Sequence, residues 1–374
     1  MKASTRERAE RELYALCNTD HDLNAFSLAA VDVIKRAVPF DASCWHSLDP
    51  ATLLETGCVA VHNTVRQSKR AAEIEYLEDD FNKFATLARR ERHSGILLEE
   101  TEGQPERSAR YREMLAPSSL DAELRTAFVS DGSCWGSVGM LREAGRPGYT
   151  AEEAEFLHAM SAILAHGFRC ALLRAAVDDD PAWAPGLVLL DADNEVETLT
   201  PPARQWIDAM IDVPDGQLPV MLYTVAARAR AGGAAGLARA RVQTQGGVWL
   251  ELHGSLTGDG TSGQAAVIIE RAQPATVAPI IAAAYGLTER ERQVAGLVLQ
   301  GLSTKEIAAE LYLSPYTVQQ HVTATFDKAG VRSRRELVAR VFSQQYLPRT
   351  EAGLEPGPDG WFAETERRRE PAPA

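Results

Sequence analysis

A short group of uncharged polar side chains near the C-terminus has the chemistry needed to recognise DNA bases. Gln319 and Gln320 each carry an amide that can form two hydrogen bonds with adenine in a major groove. Around them, apolar residues recur at three- and four-residue spacing, namely Val318, Val322, Phe326 and Ala329. This spacing predicts a helix with one buried face. At about 100° per residue, Tyr316, Gln320 and Thr323 lie opposite that face, with Gln319 on their flank.

Capping signals predict that this helix is the third of four. Thr288, Ser303 and Ser333 are each followed three residues later by Glu, which is the pattern of a capping box. Ser314 and Pro315 suit the start of the third helix, and Gly301 and Gly330 suit helix ends. The predicted helices run from about Glu289 to Gln300, from Ser303 to Leu311, from Pro315 to Lys328 and from Arg334 to Gln344. Two short helices joined by a tight turn form a helix-turn-helix.

The amino-acid sequence of this stretch resembles the LuxR/GerE-type (NarL-like) helix-turn-helix. That pattern runs LTxRE, SNKEIA, SxxTVKxH and KLGVxSR, and this chain has LTERE, STKEIA, SPYTVQQH and KAGVRSR without a gap. The resemblance implies an all-α, four-helix DNA-binding domain over 285–346. It also implies that the third helix enters the major groove and that the fourth helix pairs two copies, which makes DNA and a second copy of the chain the expected partners.

The family pattern also assigns roles to individual residues. Gln319, Gln320 and Thr323 fall where the family touches bases, whereas Lys305, Thr317 and His321 fall near the DNA backbone. This chain departs from the pattern at two positions. The lysine that usually follows TV is Gln319, and Thr323 stands where a basic residue is common. Fewer phosphate contacts predict a shallower salt dependence of DNA binding.

Composition limits the remaining possibilities. A chain of 374 residues predicts two or three domains. The net charge of −13 looks unsuited to DNA, but residues 286–346 hold eight Lys or Arg against six Asp or Glu. Five cysteines without a C-x-x-C spacing predict reduced thiols, no metal site and no cofactor. We find no apolar run of the ~18 residues that a membrane span needs, and no H-E-x-x-H, G-x-S-x-G or P-loop motif. A cytoplasmic, non-enzymatic protein without membrane contact is therefore expected.

Residues 1–177 alternate helices with strand pairs. The predicted order is: helices Arg6–Cys17 and Leu23–Val38, strands Ala42–Leu48 and Leu53–His62, a helix Ala71–Ala88, a poorly patterned stretch Arg89–Pro117, strands Glu123–Ser130 and Ser133–Arg142, and a long helix Ala151–Val177. This order resembles an α/β GAF sensor domain, which implies a small-molecule pocket between the sheet and the poorly patterned stretch. The candidate pocket residues are Cys44, Trp45, His46, Phe128, Trp135 and Cys134. Aromatic and thiol side chains on strands are more often ordinary core, and that alternative stays open.

A second module follows a linker at 178–186. Strands are predicted over Leu187–Leu190, Glu195–Thr200, Arg239–Gln245, Val248–Leu256 and Ala265–Glu270, with helices over Pro202–Ile211 and Leu218–Arg230. The order over 187–272 resembles an α+β PAS domain. A phosphorylated receiver domain is excluded because no lysine occurs between Lys83 and Lys305. Residues 273–284 are the predicted connector, and the Pro- and Gly-rich tail 347–374 is predicted to be disordered.

The whole chain is therefore expected to be a multidomain transcription regulator. Two sensor modules would respond to a small molecule or a protein signal and control a dimeric helix-turn-helix. Two alternatives remain: an adaptor protein whose helix-turn-helix no longer binds DNA, and a quorum-sensing-type ligand receptor, although its Trp and Tyr pattern is not evident here.

Overall fold

A computed structural model of the chain separates into two compact units, 1–284 and 285–374. The structure describes residues 3–61, 68–174, 183–210, 217–232, 237–257, 263–272, 276–277, 280, 283–299 and 301–337. The predicted disordered tail, most of the predicted fourth helix, and parts of the linker and the connector lie outside these residues.

The first module of unit 1–284 is built on a five-stranded sheet with the order β2-β1-β5-β4-β3. Every neighbouring pair is antiparallel. The strands are β1 (Ala42–Leu48), β2 (Glu55–Val61), β3 (Ser94–Ile96), β4 (Leu120–Ser130) and β5 (Ser133–Glu143). A tight hairpin joins β4 to β5, and Asp131 and Gly132 adopt φ values of 51° and 74° there. Left-handed conformations at both positions are what a type I′ turn requires.

Helices cover both faces of this sheet. The module's helices are α1 (Ala3–Cys17), α2 (Leu23–Ala37), α3 (Ser68–Tyr76), α4 (Phe84–Arg89), the single turn α5 (Leu97–Glu100) and α6 (Ala151–Arg174). Residues of α1, α2 and α6 form one apolar cluster with Trp45, Phe128 and Val138 of the sheet. The opposite face meets α3, α4 and the loop segments up to β4, where smaller apolar clusters surround charged side chains.

Two expectations for this module were wrong in detail. The single helix predicted over Ala71–Ala88 is divided into α3 and α4, because the chain turns at Asn82, whose φ is 55°. The stretch Arg89–Pro117 contains a fifth strand, β3, which pairs Ser94, Gly95 and Ile96 with Thr126, Arg125 and Leu124. Three residues are too few to show the alternation that identifies a strand.

The second module of this unit has the same strand order as the first. Its antiparallel sheet runs β7-β6-β10-β9-β8, made of β6 (Gly186–Leu190), β7 (Val196–Leu199), β8 (Ala238–Gln243), β9 (Trp249–Leu256) and β10 (Ala265–Arg271). Helices α7 (Pro201–Met210) and α8 (Val220–Ala231) pack on it through an apolar cluster centred on Trp206, Leu222, Leu252 and Val267. Burial of such side chains contributes about 1.5–3 kcal/mol each.

A buried ion pair joins the two modules. Asp49, in the turn after β1, accepts hydrogen bonds from Arg241 of β8 at 2.8 Å and 2.7 Å. The Asp49 side chain is fully buried and that of Arg241 is 10% exposed. Nearby, the Thr224 hydroxyl on α8 donates to the Glu55 carbonyl of β2 at 3.3 Å. The second module thus packs on the β1–β2 end of the first sheet.

The second unit begins with three helices, α9 (Glu289–Leu299), α10 (Thr304–Glu310) and α11 (Pro315–Ala329), and a fourth helix begins at Arg334. Val294, Val298, Ile307, Val318 and Val322 form the centre of its apolar core. The predicted starts of α9, α10 and α11 agree with this structure. The fourth helix is described only as far as Leu337.

Helix α6 is the one helix among the described residues whose length and apolar character would also suit a membrane span, over Ala151–Leu173. In this structure 61% of its most apolar window is buried. Its apolar residues Phe156, Leu157, Met160 and Leu164 belong to the core beneath the first sheet.

Candidate DNA-binding surface and ligand cavities

The third helix of the second unit, α11, buries its apolar face and exposes its polar one. Val318 and Val322 are 0% and 1% exposed, whereas Gln319, Gln320 and Thr323 are exposed. Lys305 on α10 is also exposed, and Thr317 and His321 are half-buried. The helix therefore presents short polar side chains to solvent along one side.

The start of α11 is fixed by its cap. The Ser314 hydroxyl accepts a hydrogen bond from the Thr317 backbone N–H at 3.0 Å, and Pro315 occupies the first turn. The turn from α10 passes through Tyr312, whose φ of 54° is left-handed and whose side chain is 95% exposed. Such a conformation is rare for a bulky side chain. It lets the chain reverse tightly between the two helices.

Ion pairs and carbonyl contacts hold α11 on its neighbours. Lys328 Nζ lies 2.7 Å from Glu291 Oε2 of α9. The same Glu291 oxygen accepts from the Thr288 backbone N–H at 2.7 Å, which completes the predicted capping box. Burial opposes the charged form of Glu291, but Lys328 and Thr288 outweigh it and lower the pKa of this carboxyl. Arg334 donates to the Leu302 carbonyl at 2.6 Å and to the Thr304 hydroxyl at 2.8 Å, which ties the fourth helix to the start of α10.

Two of the cavities among the described residues of unit 1–284 have walls that could bind a ligand. The larger one, the interface cavity, measures about 620 Å³ and lies between the β1–β2 edge and strands β8 and β9. Trp45, Trp135, Phe168 and Trp249 supply aromatic walls, and the Asp49 and Arg241 pair supplies charge. Apolar walls with a few polar groups, at this volume, are typical of small-molecule sites. Ile280, four residues before the end of this unit, also lines the cavity.

The smaller cavity, the polar cavity, measures about 120 Å³ and lies between the first sheet and the α3–α4 side. Two arginines and three carboxylates form a buried network around it. Arg110 pairs with Glu123 at 2.7 Å and with Asp80 at 3.3 Å, and Arg125 pairs with Glu75 at 2.9 Å. The Arg125 guanidinium also lies 3.6 Å from the centre of the Phe84 ring.

Four further ionisable side chains line the polar cavity from β1 and β2, namely Cys44, His46, Glu55 and Cys58. Burial, with the nearby Glu75 carboxylate, raises the pKa of Glu55. Burial would lower the pKa of His46, but Glu55 and Cys44 outweigh that effect and raise it. The neighbouring Cys44 thiol and burial hold the pKa of Cys58 well above its usual range.

The predicted pocket residues divide between different environments. Cys44 and His46 line the polar cavity, and Trp45 and Trp135 line the interface cavity, because successive residues of β1 point to opposite faces of the sheet. Phe128 lines neither cavity. Its ring packs in the core between Trp45 at 5.5 Å and Phe168 at 5.2 Å. Cys134 is also core, and burial raises the pKa of its thiol to about 12.

Residues 286–341 match the family model described as bacterial regulatory proteins, luxR family. Over 55 residues the chain is 44% identical to the spore germination protein GerE of Bacillus subtilis, and this covers 15% of this chain and 74% of GerE. The chain belongs to the luxR family. Over 56 residues this luxR-family chain is also 54% identical to the transcriptional regulatory protein UhpA of Escherichia coli K12, which covers 15% of this chain and 29% of UhpA. The match thus spans less than a third of UhpA.

One solved structure similar to this luxR-family chain is Escherichia coli SdiA. The sequence identity is 10%, and the alignment covers 90% of this chain and 97% of SdiA. Its TM-score is 0.32, which is too low to support an argument about the fold of either module.

Several residues around the cavities of this luxR-family chain were not predicted. Glu55 and Cys58 on β2, and Asp49 and Arg241 between the modules, carry no motif. The Cys44 and His46 alternation on β1 is visible in the sequence. That Cys58 of β2 joins Cys44 and His46 follows only from the strand register, which pairs His46 with Cys58.

Proposed function

We propose that this chain is a transcription regulator in which a small molecule bound by unit 1–284 controls DNA binding by a homodimer. The observation that carries the proposal is the luxR-family helix-turn-helix whose third helix exposes Gln319, Gln320 and Thr323. In this proposal these three side chains contact bases, while Lys305, Thr317 and His321 lie near the DNA backbone. A cytoplasmic location is the natural one for such a regulator.

The sensor function would belong to the two sheet modules, which we propose are GAF-like and PAS-like. The interface cavity is the preferred effector site because residues of both modules line it. A molecule bound there would contact both, and it could shift the balance between two arrangements as far as its affinities for them differ. We expect a ligand with an apolar body, to match the tryptophans, and one polar group, to meet Asp49 or Arg241.

Two residues of the predicted connector 273–284, Ile280 and Ala284, offer a route from this cavity to the end of the unit. Ile280 lines the interface cavity, and Ile280 and Ala284 both pack into the core of the first module. Arg169 of α6 donates to the Ala284 carbonyl at 3.1 Å and also pairs with Asp131 at 2.8 Å. Occupancy of the cavity would therefore act on the residues that immediately precede Tyr285.

The DNA-reading assignment is tested by removing the two amides. An operator is first selected from random DNA with the full-length protein, with half-sites expected about 10 bp apart. Gln319→Ala and Gln320→Ala together should weaken operator binding by about 30-fold or more, since each good amide–adenine pair is worth roughly 1–3 kcal/mol. Gln293→Ala, an exposed glutamine on α9, is the matched control and should leave binding unchanged. Equal operator binding by all three proteins would contradict the assignment of these two glutamines to base contacts. Failure to select any operator would favour the adaptor alternative.

The sensor assignment is tested by native mass spectrometry of the purified full-length protein, followed by denaturation to release any bound molecule. A dimer that carries a reproducible small molecule, and loses it in Trp45→Ala, supports the interface cavity as the effector site. A chain that binds no small molecule from a metabolite extract would contradict the sensor part of the proposal and leave the DNA-binding part intact.

A further inference from the structure

Strand pairing brings two thiols and an imidazole together at the polar cavity. Cys44 and His46 lie two residues apart on β1 and so point to the same face of the sheet. On β2, Cys58 is the direct partner of His46. The ligand atoms of these three side chains all lie within 4.8 Å of one another. Among the residues that the structure describes, this is the one group of three that could hold a metal ion.

The register argues against a disulfide between the two thiols. Cys44 faces Ala60 and Cys58 faces His46, so the cysteines are diagonal neighbours on adjacent strands. Diagonal positions are about 7–8 Å apart, whereas a disulfide needs Cα atoms within about 7 Å. A metal ion has no such requirement, because it can lie between side chains that converge from diagonal positions.

The charge of the polar cavity also favours a cation. Four carboxylates, those of Glu55, Glu75, Asp80 and Glu123, are buried near two guanidinium groups. The arginines form ion pairs with Glu75, Asp80 and Glu123. Glu55 is only 7% exposed and lines the same cavity. Burying a carboxylate is costly, and a nearby cation would offset that cost.

The donor set selects the class of metal. Two sulfurs and one imidazole nitrogen suit zinc and other borderline or soft ions, whereas magnesium and calcium prefer oxygen. We propose that Cys44, His46 and Cys58 bind a zinc ion whose fourth position faces the polar cavity. Three protein ligands and one open position distinguish such a site from a closed structural site with four protein ligands. Glu55 or a polar group of a bound molecule would complete the coordination.

The binding step involves no oxidation or reduction. The two thiol S–H bonds are lost and two zinc–sulfur bonds form, while the neutral imidazole gives one lone pair to the metal. Two protons leave for the solvent. Apparent affinity should therefore rise with pH, and proton release can be measured together with zinc binding.

The test uses the full-length protein, kept reduced and stripped of metal with a chelator. Zinc chloride is titrated against a coloured competing chelator, and cobalt chloride reports thiolate ligation by its charge-transfer absorption. We expect one zinc per chain. Cys58→Ser should weaken binding by more than about 100-fold, because even partners of the ligands are worth 10- to 100-fold. Cys44→Ser should have a similar effect, and both should remove the cobalt–thiolate band.

Two controls keep the result interpretable. Cys170→Ser removes another half-buried thiol, which lies 3.6 Å from the His166 ring on α6 without a third ligand in the described structure. This variant should bind zinc as the unmodified chain does.

Operator binding and circular dichroism check that each variant is folded, and Glu55→Gln offers a change that keeps all three ligands. The proposal is overturned if the unmodified protein binds no zinc, if Cys170→Ser loses zinc as Cys58→Ser does, or if mapping finds a Cys44 to Cys58 disulfide. None of these outcomes bears on DNA binding.

Discussion

The two sheet modules share one strand order but bury different chemistry. In the second module, one apolar cluster of Val, Leu, Ile and Trp side chains fills the space between the sheet and helices α7 and α8. In the first module, the α6 side has an equally apolar cluster, whereas the α3–α4 side contains Arg110, Arg125 and their carboxylate partners. The same topology therefore holds an apolar core in one place and a charged cavity in the other, so function has to be argued from the site.

The charged side of the first module is not explained by its contribution to folding stability. A buried ion-pair network adds little net stability over apolar side chains of the same volume, because the charges lose their hydration. Apolar side chains on this face would have stabilised the first module at least as well. We interpret the charged side as a binding site that the other, apolar side of the module supports.

The largest loss of unfolding free energy is expected when the charged network is broken at Arg125. Arg125→Met leaves Glu75 and the neighbouring Glu123 buried with less compensating charge, which should cost about 3–5 kcal/mol of unfolding free energy. Urea unfolding, with hydrogen exchange at β4 and β5 as the local reporter, measures the loss. Arg90→Met is the control, because Arg90 is 40% exposed and pairs with Glu100 at the surface. That change should cost less than about 1 kcal/mol. Equal losses from the two variants would mean that the network is effectively solvated.

The next effect tests the apolar core of the second module. Leu252 of β9 is 0% exposed, and Leu252→Ala should cost about 3 kcal/mol through lost burial and the space left behind. Because no charge is involved, the loss should be the same at low and high salt. Unfolding in urea at two salt concentrations measures both. A salt-dependent loss at Leu252 would show that charged groups also contribute to the packing of the second module.

The sequence predicted most of the helices, strands and turns, but fewer of the residues that line the cavities. Local signals succeeded where one short segment determines the structure, as at the Thr288, Ser303 and Ser314 caps and the Asp131-Gly132 hairpin. The break between α3 and α4 was missed, since a left-handed Asn82 has no strong local signature. The grouping of Cys58 with His46 depends on strand register, and the pairing of Asp49 with Arg241 joins positions 192 residues apart. Such long-range pairings follow from packing of the whole unit and have no local pattern.

A smaller loss of stability is expected where strand β9 of the second module packs closely against helix α8. A methyl group added at Gly254 of β9 would lie 2.6 Å from a Val225 side-chain carbon and 2.9 Å from the Val225 carbonyl oxygen. Because backbone on α8 cannot move freely, Gly254→Ala should cost about 1–3 kcal/mol. The unfolding midpoint of the full chain measures it. Gly254→Ala with no loss would indicate that α8 packs more loosely than this structure shows.

The smallest effect, of opposite sign, is expected at Gly139 in the first sheet. Gly139 is buried at the polar cavity and pairs with Cys44, yet a methyl group there would meet no atom within 4 Å. Glycine within a strand costs roughly 0.5–1 kcal/mol relative to alanine, so Gly139→Ala should stabilise the chain by about 0.5 kcal/mol. The same methyl group would occupy part of the polar cavity and should weaken any ligand that reaches it. Matched urea curves for the Gly139→Ala and Gly254→Ala proteins measure the contrast. A loss of 1 kcal/mol or more at Gly139, as a rough threshold for overpacking, would mean that the cavity is closed. The charged side of the first sheet would then be packed as tightly as the apolar core of the second.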